Sequence, residues 1–400
     1  MHPPLGRLPY VLICKLMGYP GGFEPLDAGG SFVEHGVPYV ALRSLPALLN
    51  SLTVPVVYLI MWESGCGIPA CLVTAGLVVF DNAQITHNRL IYLDGIICFT
   101  ITCSLLCYIK FTKAQNRPMS REWWTWLLLT GLALSCTVSV KLVGFFTYLT
   151  IGVYVLNDLW QLFNVKSGRA VSVSAFAKHV YARFICLLLL PFGLYLMWFK
   201  IHFGLLPRAS KHMYYMTPEF QATLLRNSTS QAQELPFFRK WLELQGLMFE
   251  YTHSVTESHP YQSRPYQWPF TTRGVSFWCS DSKRQQIYFM GNIVGWWIAS
   301  ASVLLLSITI LLDRLYRARG KNLFQHSRSV FPTRSDLPNI YLYRFPAICL
   351  QVRWLLLTNL GTSLFSMVVD EQAVDATQLS SCSTSFYNGH RIPLRPSRLN

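Results

Sequence analysis

Charge is scarce in this chain and acid scarcer than base: Asp, Glu, Lys and Arg make up 13% of 400 residues, 19 of them acidic and 34 basic. A soluble domain carries about twice that charged fraction. With 52% hydrophobic residues and a mean hydropathy of +0.30, a water-soluble globule is excluded. The eleven cysteines include no Cys-x-x-Cys and no Cys/His cluster, and most lie inside apolar runs. No metal site and no dithiol redox centre is expected from such a pattern. The net charge of +15 is not gathered into a basic stripe interleaved with aromatics, so nucleic acid is not expected as a partner.

What is present is a series of long apolar runs separated by short basic loops, the pattern of an all-α polytopic membrane protein. Runs at 39–62, 66–80, 90–111, 123–140, 142–160, 184–206 and 287–312 predict about seven transmembrane helices. The stretch 8–19 is shorter than the roughly 20 residues needed to cross and is expected to lie along the interface. Lys141 divides two runs that would otherwise read as one. Lys and Arg mark cytosolic loops, and they gather at Lys110, Lys113, Arg117 and Arg121; at Lys166, Arg169, Lys178 and Arg183; and at Arg314, Arg317, Arg319 and Lys321. An even number of helices separates successive clusters, so all three fall on one side. Residues 1–38, 81–89 and 207–286 are then lumenal, as is the one Asn-x-Ser/Thr sequon, at Asn227, an expected glycosylation site. A lumenal amino terminus needs a segment to carry it across, so an upstream span is expected.

Charges at the edge of lipid are costly and mark function by default. Arg43, Lys141 and His202 lie at or near lumenal helix ends, Asp94 falls inside the third run, and Asp81, Asn82, His87 and Arg89 occupy the adjacent short loop. Arginine suits a phosphate near lipid because its fork makes paired, charge-assisted bonds and keeps its proton, so a phosphorylated lipid is the natural ligand. Plainer readings stand beside this one: Arg43 snorkelling to the interface, Asp94 pairing with Arg89 across little more than a helical turn, Lys141 capping a helix. The Pro- and aromatic-rich run 258–269 reads equally as a lid on the membrane surface or as a sugar-stacking platform.

These residues also carry a resemblance. His2-Pro3-Pro4-Leu5-Gly6, Val37-Pro38-Tyr39 with Arg43, Asp81-Asn82 with Arg89 and Leu93-Asp94, Trp123-Trp124 and Ser139-Val140-Lys141-Leu142-Val143-Gly144 resemble the protein O-mannosyltransferases. So do Met216-Thr217-Pro218-Glu219-Phe220-Gln221-Ala222, Ser258-His259-Pro260-Tyr261, Trp268-Pro269-Phe270 and Gly291-Asn292-Ile293-Val294-Gly295-Trp296-Trp297, the whole set in order from His2 to about 321 and most similar to the fungal subfamily related to the animal type-one enzymes. The resemblance implies a C-type glycosyltransferase fold in the endoplasmic reticulum membrane, with no tightly bound cofactor. It implies inverting transfer of mannose from dolichyl phosphate mannose to Ser or Thr hydroxyls of secretory-pathway polypeptides, by an enzyme that pairs with itself or another family member. By position, Arg43 is implied as the phosphate contact, His2, Asp81, Asn82 and Arg89 as pocket residues, and His259 with Arg264 as lid residues.

The departures are equally specific. The family's first span and its catalytic acidic pair precede the His-Pro-Pro-Leu-Gly motif, and both are expected upstream of Met1. Residues 1–206 then form the transmembrane core. The lumenal loop 207–286 has no room for the family's MIR β-trefoil, since only 224–235 lie where it is normally inserted. Residues 287–321 supply a later helix and a basic loop, and 322–400 an atypical tail. With suitable codons, 353–384 read one base later can yield runs resembling the family's terminal spans, so a frameshift or missed splice near 325–350 is expected. Two rival readings follow from these gaps: an inactive or truncated partner subunit of the same family, and a lipid-phosphate transporter.

Overall fold

The computed structural model describes residues 2–19, 32–205, 215–224, 234–254, 267, 270–280 and 285–319. Asn227, His259, Arg264 and the 322–400 tail lie outside the described residues.

A 3-10 turn at Pro4–Gly6 leads into α1 (Leu8–Leu16), nine residues long with Val11, Leu12 and Leu16 exposed, as befits an interfacial helix. Next come α2 (Tyr39–Glu63), α3 (Ile68–Val79), the short α4 (Asn82–His87), α5 (Asp94–Ala114), α6 (Arg121–Val140) and α7 (Gly144–Phe163). Then α8 (Val173–Phe184) runs through a π turn at Ile185–Leu189 into α9 (Leu190–Leu205). Beyond it are α10 (Pro218–Ala222), α11 (Phe237–Ser254), strands β1 (Val275–Ser280) and β2 (Gln285–Phe289), and α12 (Ile293–Ala318). The two strands pair antiparallel, Val275 opposite Phe289 and Ser280 opposite Gln285, with a bulge between Ser276 and Trp278. Helices α2, α5, α6 and the continuous 173–205 helix are long and apolar enough to cross a membrane, while Ile68–Val79 and Ile293–Thr309 are shorter apolar helices.

Helix ends follow local chemistry. Ser120 caps α6 by accepting from Trp123 N (3.2 Å) and Ser172 caps α8 from Ala175 N (3.4 Å), each satisfying an amide the first turn leaves open. Lys141 adopts extended backbone angles at the end of α6, so the two apolar runs on either side of it are separate helices, as its position predicts. The 184–206 span extends further back than its hydropathy suggests. Its first twelve residues, α8, carry Lys178, His179 and Arg183, and an apolar-run criterion passes over them.

Helix α5 is the hub. It packs on α2 and α6, and its Ile97, Ile101 and Phe111 join Trp123, Leu127 and Leu134 of α6 in the main core. Several buried hydroxyls are satisfied within their own helices, as where Thr130 donates to Trp126 O (2.7 Å) and Thr137 to Ala133 O (2.8 Å). Ser104 of α5 meets Thr137 of α6 at 3.2 Å, a polar tie across that seam. On the far side of α6, a Cβ placed on Gly131 would overlap the Cys186 carbonyl of the π turn, so only glycine lets the two backbones approach this closely. Gly131→Ala is therefore expected to destabilise the bundle by about 1–3 kcal/mol. Gly152→Ala, at a site with open space around it, should be neutral. Thermal melts followed by fluorescence-detected gel filtration compare the two.

Ion pairs show how α2, α5 and α6 run relative to one another. Glu63, at the end of α2, meets Lys110 (2.8 Å) and Lys113 (2.6 Å) near the end of α5, so α2 and α5 run parallel. Asp94, at the start of α5, meets Lys141, at the end of α6, so those two are antiparallel. Asp158, late in α7, accepts from Arg183 of α8 (2.6 Å), Arg169 (3.3 Å) and Gln115 (3.1 Å). The clusters at 110–121 and 166–183 thus share one end of the bundle, and Arg43, Asp94 and Lys141 share the other, the arrangement the loop charges predict.

Candidate functional site at the Arg43 end of the bundle

Arg43 lies one turn into α2. Its guanidinium carbon sits 5.5 Å from the Tyr39 ring centre and 5.9 Å from that of Phe32, so two aromatic faces hold the fork. Its Nε is buried with no hydrogen-bond partner among the described residues. Three residues later Pro46 interrupts the hydrogen bonding of α2, because a proline nitrogen cannot donate to the carbonyl of Leu42.

Asp94 is 3% exposed, and its two oxygens serve different elements: Oδ1 accepts from Lys141 Nζ (3.0 Å) and Oδ2 faces His87 Nε2 (3.0 Å). This replaces the Asp94–Arg89 pairing considered from spacing. The chain bends through 88–93 before α5 begins, leaving Arg89 exposed on the turn while Asp94 opens the helix facing inward. The His87 ring stacks on Tyr92 (5.2 Å between centres) and tilts against Phe289 of β2 (5.7 Å), linking the cluster to the hairpin. Tyr10 of α1 donates to Tyr92 O (2.7 Å). Burial, reinforced by Asp94, pushes the Tyr10 phenol well above its ordinary range, so it remains a donor across the physiological range.

Asp81 and Asn82 turn elsewhere. Asp81 caps α4 from Ala83 N (3.1 Å), and it also accepts from Asn292 N (3.1 Å) and Trp296 Nε1 (3.1 Å) at the start of α12. Burial raises its carboxyl above the usual range against the pull of those three donors. Asn82 Nδ2 donates to Met290 O (3.3 Å), and Asn292 Nδ2 returns the tie to Phe80 O (3.1 Å). These two residues tie the start of α12 to the loop ahead of α4. His2 is half-buried just ahead of Pro3, Pro4 and Gly6, which are buried. A Cβ on Gly6 would press on Leu93 and Val140 at 3.0 and 3.1 Å, which wedges the amino-terminal motif between the α5 and α6 ends. His202 sits beside Phe203 near the end of α9.

The structure therefore brings Asp94 and Lys141 together with His87, and it leaves Arg43 as a cation without an acid among the described residues. At the opposite end, the Asp158 cluster has no local signature in the sequence; a lone acid near a polar helix end carries no signal until Arg183 is placed against it. Among the described residues, no group of three or more His, Cys, Asp or Glu side chains is placed to hold a metal ion.

Comparison with known proteins gives a consistent answer. Residues 1–207 match the family model described as dolichyl-phosphate-mannose-protein mannosyltransferase, and residues 237–345 match the C-terminal four-transmembrane region of protein O-mannosyltransferase. The chain is 42% identical over 261 residues to dolichyl-phosphate-mannose--protein mannosyltransferase 4 of Schizosaccharomyces pombe, covering 65% of this chain and 33% of that protein. It is 42% identical over 227 residues to the enzyme of the same name from Candida albicans, covering 57% and 30%. The aligned stretch thus spans about a third of the length of either relative. Among solved structures, the S. cerevisiae protein O-mannosyltransferase Pmt1-Pmt2 complex bound to the sugar donor shares the fold, with a TM-score of 0.74 at 18% identity over 93% of this chain and 81% of that one.

Proposed function

The chain belongs to the dolichyl-phosphate-mannose-protein mannosyltransferase family, and from that premise we propose that it transfers mannose from dolichyl phosphate mannose to Ser and Thr hydroxyls of proteins in the endoplasmic reticulum membrane. The observation that carries this reading is Arg43. Lys141 and Arg183 each have an acid at hydrogen-bonding distance, whereas the buried Arg43 Nε has no partner among the described residues. Arg43 is half-buried; an N–H cut off from water and left without an acceptor is costly, and a phosphate held by two of the N–H groups of the fork relieves that cost.

The chemistry follows from the bond made and the bond broken. The acceptor hydroxyl oxygen attacks the sugar carbon, a carboxylate takes the hydroxyl proton, and the bond from that carbon to the phosphate oxygen breaks with its electron pair leaving on dolichyl phosphate. Negative charge grows on the departing phosphate, and donors fixed in advance stabilise that charge most in the transition state. Arg43, steadied by Phe32 and Tyr39, fills this role. His2 and Arg89 line the same end of the bundle, Asp81 and Asn82 hold α12 beside it, and His259 and Arg264 belong to the run proposed as a lid. Pairing with a second family member is proposed by analogy with the complex named above.

The test is transfer of labelled mannose from dolichyl phosphate mannose to a Ser/Thr peptide by membranes containing the full-length protein. Label released from the peptide by alkaline β-elimination is the expected result. A folded, inserted protein that moves the lipid without labelling the peptide would overturn it in favour of transport.

A further inference from the structure

We propose that Asp94 is a positioning residue for Arg43: by joining Lys141 to His87 it locks the start of α5 against the turn of α2 that carries the arginine. The inference rests on the reading of Arg43 as the side chain that holds the donor phosphate.

The connection runs through backbone. Asp94 is pinned from two sides, by α6 through Lys141 and by the last residue of α4 through His87, each at 3.0 Å. The next residue, Gly95, lies so close to α2 that a Cβ would fall 2.8 Å from the Pro46 carbonyl oxygen and overlap the Asn88 side-chain amide. Asn88 is itself fixed by donating to Gln84 O (2.7 Å) and Gln84 Oε1 (3.0 Å). The Leu42–Pro46 turn lacks the hydrogen bond that proline cannot make, so it depends on packing against α5 to keep its shape, and Arg43 sits within it. Movement of Asp94 is thereby passed from Gly95 to Pro46 and on to the arginine. Nothing places Asp94 in direct contact with Arg43, so its effect is on geometry.

A buried ion pair adds little net stability over a well-packed apolar pair of similar volume. What the three-way cluster supplies is register between α4, α5 and α6. This separates the proposal from a purely structural role: loss of Asp94 should alter how the donor is held even in protein that folds.

The experiment compares Asp94→Asn, the charge-balanced pair Asp94→Asn with Lys141→Met, and His87→Gln, which keeps the Asp94–Lys141 ion pair, in the full-length protein. KM is measured for dolichyl phosphate mannose and for the acceptor peptide, per molecule of folded protein eluting from gel filtration. We expect the donor KM to rise about tenfold or more in both Asp94 variants and several-fold in His87→Gln, with the peptide KM within about twofold of wild type. A donor KM within twofold of wild type in whichever of these variants folds would overturn the inference. So would a yield lost in Asp94→Asn and regained in the double variant together with a wild-type donor KM. Arg43→Ala, run alongside, separates the two failures. If it is inactive while the Asp94 variants are normal, only the positioning role falls; if it is active, the donor-site reading falls.

Discussion

Arg43→Ala is expected to reduce mannose transfer by about 10²–10³-fold or more in kcat/KM, the scale seen when a single fixed donor to developing negative charge is removed. The protein should remain folded and inserted, because the guanidinium holds to its surroundings through two aromatic faces, those of Phe32 and Tyr39, each worth about 0.5–1 kcal/mol where water has access. Arg43→Lys tests the fork itself. It keeps the charge but presents a single compact ammonium, so activity should fall between alanine and wild type, by about tenfold. Kinetics in detergent or nanodiscs, normalised to folded protein, check both. Near-normal activity in an inserted Arg43→Ala protein would mean that the side chain does no more than snorkel.

Asp158→Ala is expected to act in the opposite manner, on folding rather than on chemistry. Asp158 is 1% and Arg183 3% exposed, and Arg183 also lies over the Phe111 and Trp123 rings at 5.3 and 5.6 Å. Removing the acid strands a buried guanidinium, at a cost of about 3–5 kcal/mol. A loss of that size should be visible as a collapsed gel-filtration peak and a lowered melting temperature. Whatever fraction folds should bind donor with an unchanged KM, since the cluster sits at the end of the bundle away from Arg43. Adding Arg183→Met to Asp158→Ala should recover much of the yield. If the single and double variants are equally unstable, the pair is not what holds α7 to α8.

Much of the fold is legible in the chain alone, and the reasons differ from residue to residue. Apolar runs locate α2, α3, α5, α6, α7, α9 and α12 because lipid demands continuous hydrophobic segments, and the parity of the basic loops agrees with the directions of α2, α5 and α6 that the ion pairs show. Arg43, Asp94 and Lys141 stand out because charge at the margin of an apolar run needs a cause. The partner of Asp94 does not stand out. Spacing favours Arg89, five residues away, whereas the fold delivers Lys141 from 47 residues further on. Such pairings depend on how helices pack, which no local pattern encodes. Asp81 is implied as a pocket residue by the resemblance, and the sequence gives no sign of what the fold adds, that its oxygens accept from Asn292 and Trp296 at the start of α12. Helix α8 escapes notice because its inward-facing polar residues lower its hydropathy. The hairpin at 275–289 falls mostly in the loop 207–286, defined only by its side of the membrane, and β2 takes the first residues of the run 287–312 expected as helix, where the helix begins at Ile293.

The continuous 173–205 helix has 33 residues and is therefore about 50 Å long, while a hydrocarbon slab is about 30 Å thick. About 20 Å must stand outside the apolar layer or be absorbed by tilt. Its first third, ending at Arg183, has the length of most of that excess, and Arg183 is tied there to Asp158 at the end of the bundle that carries the basic loops. The helix behaves as a graduated rod whose zero is set by buried charge.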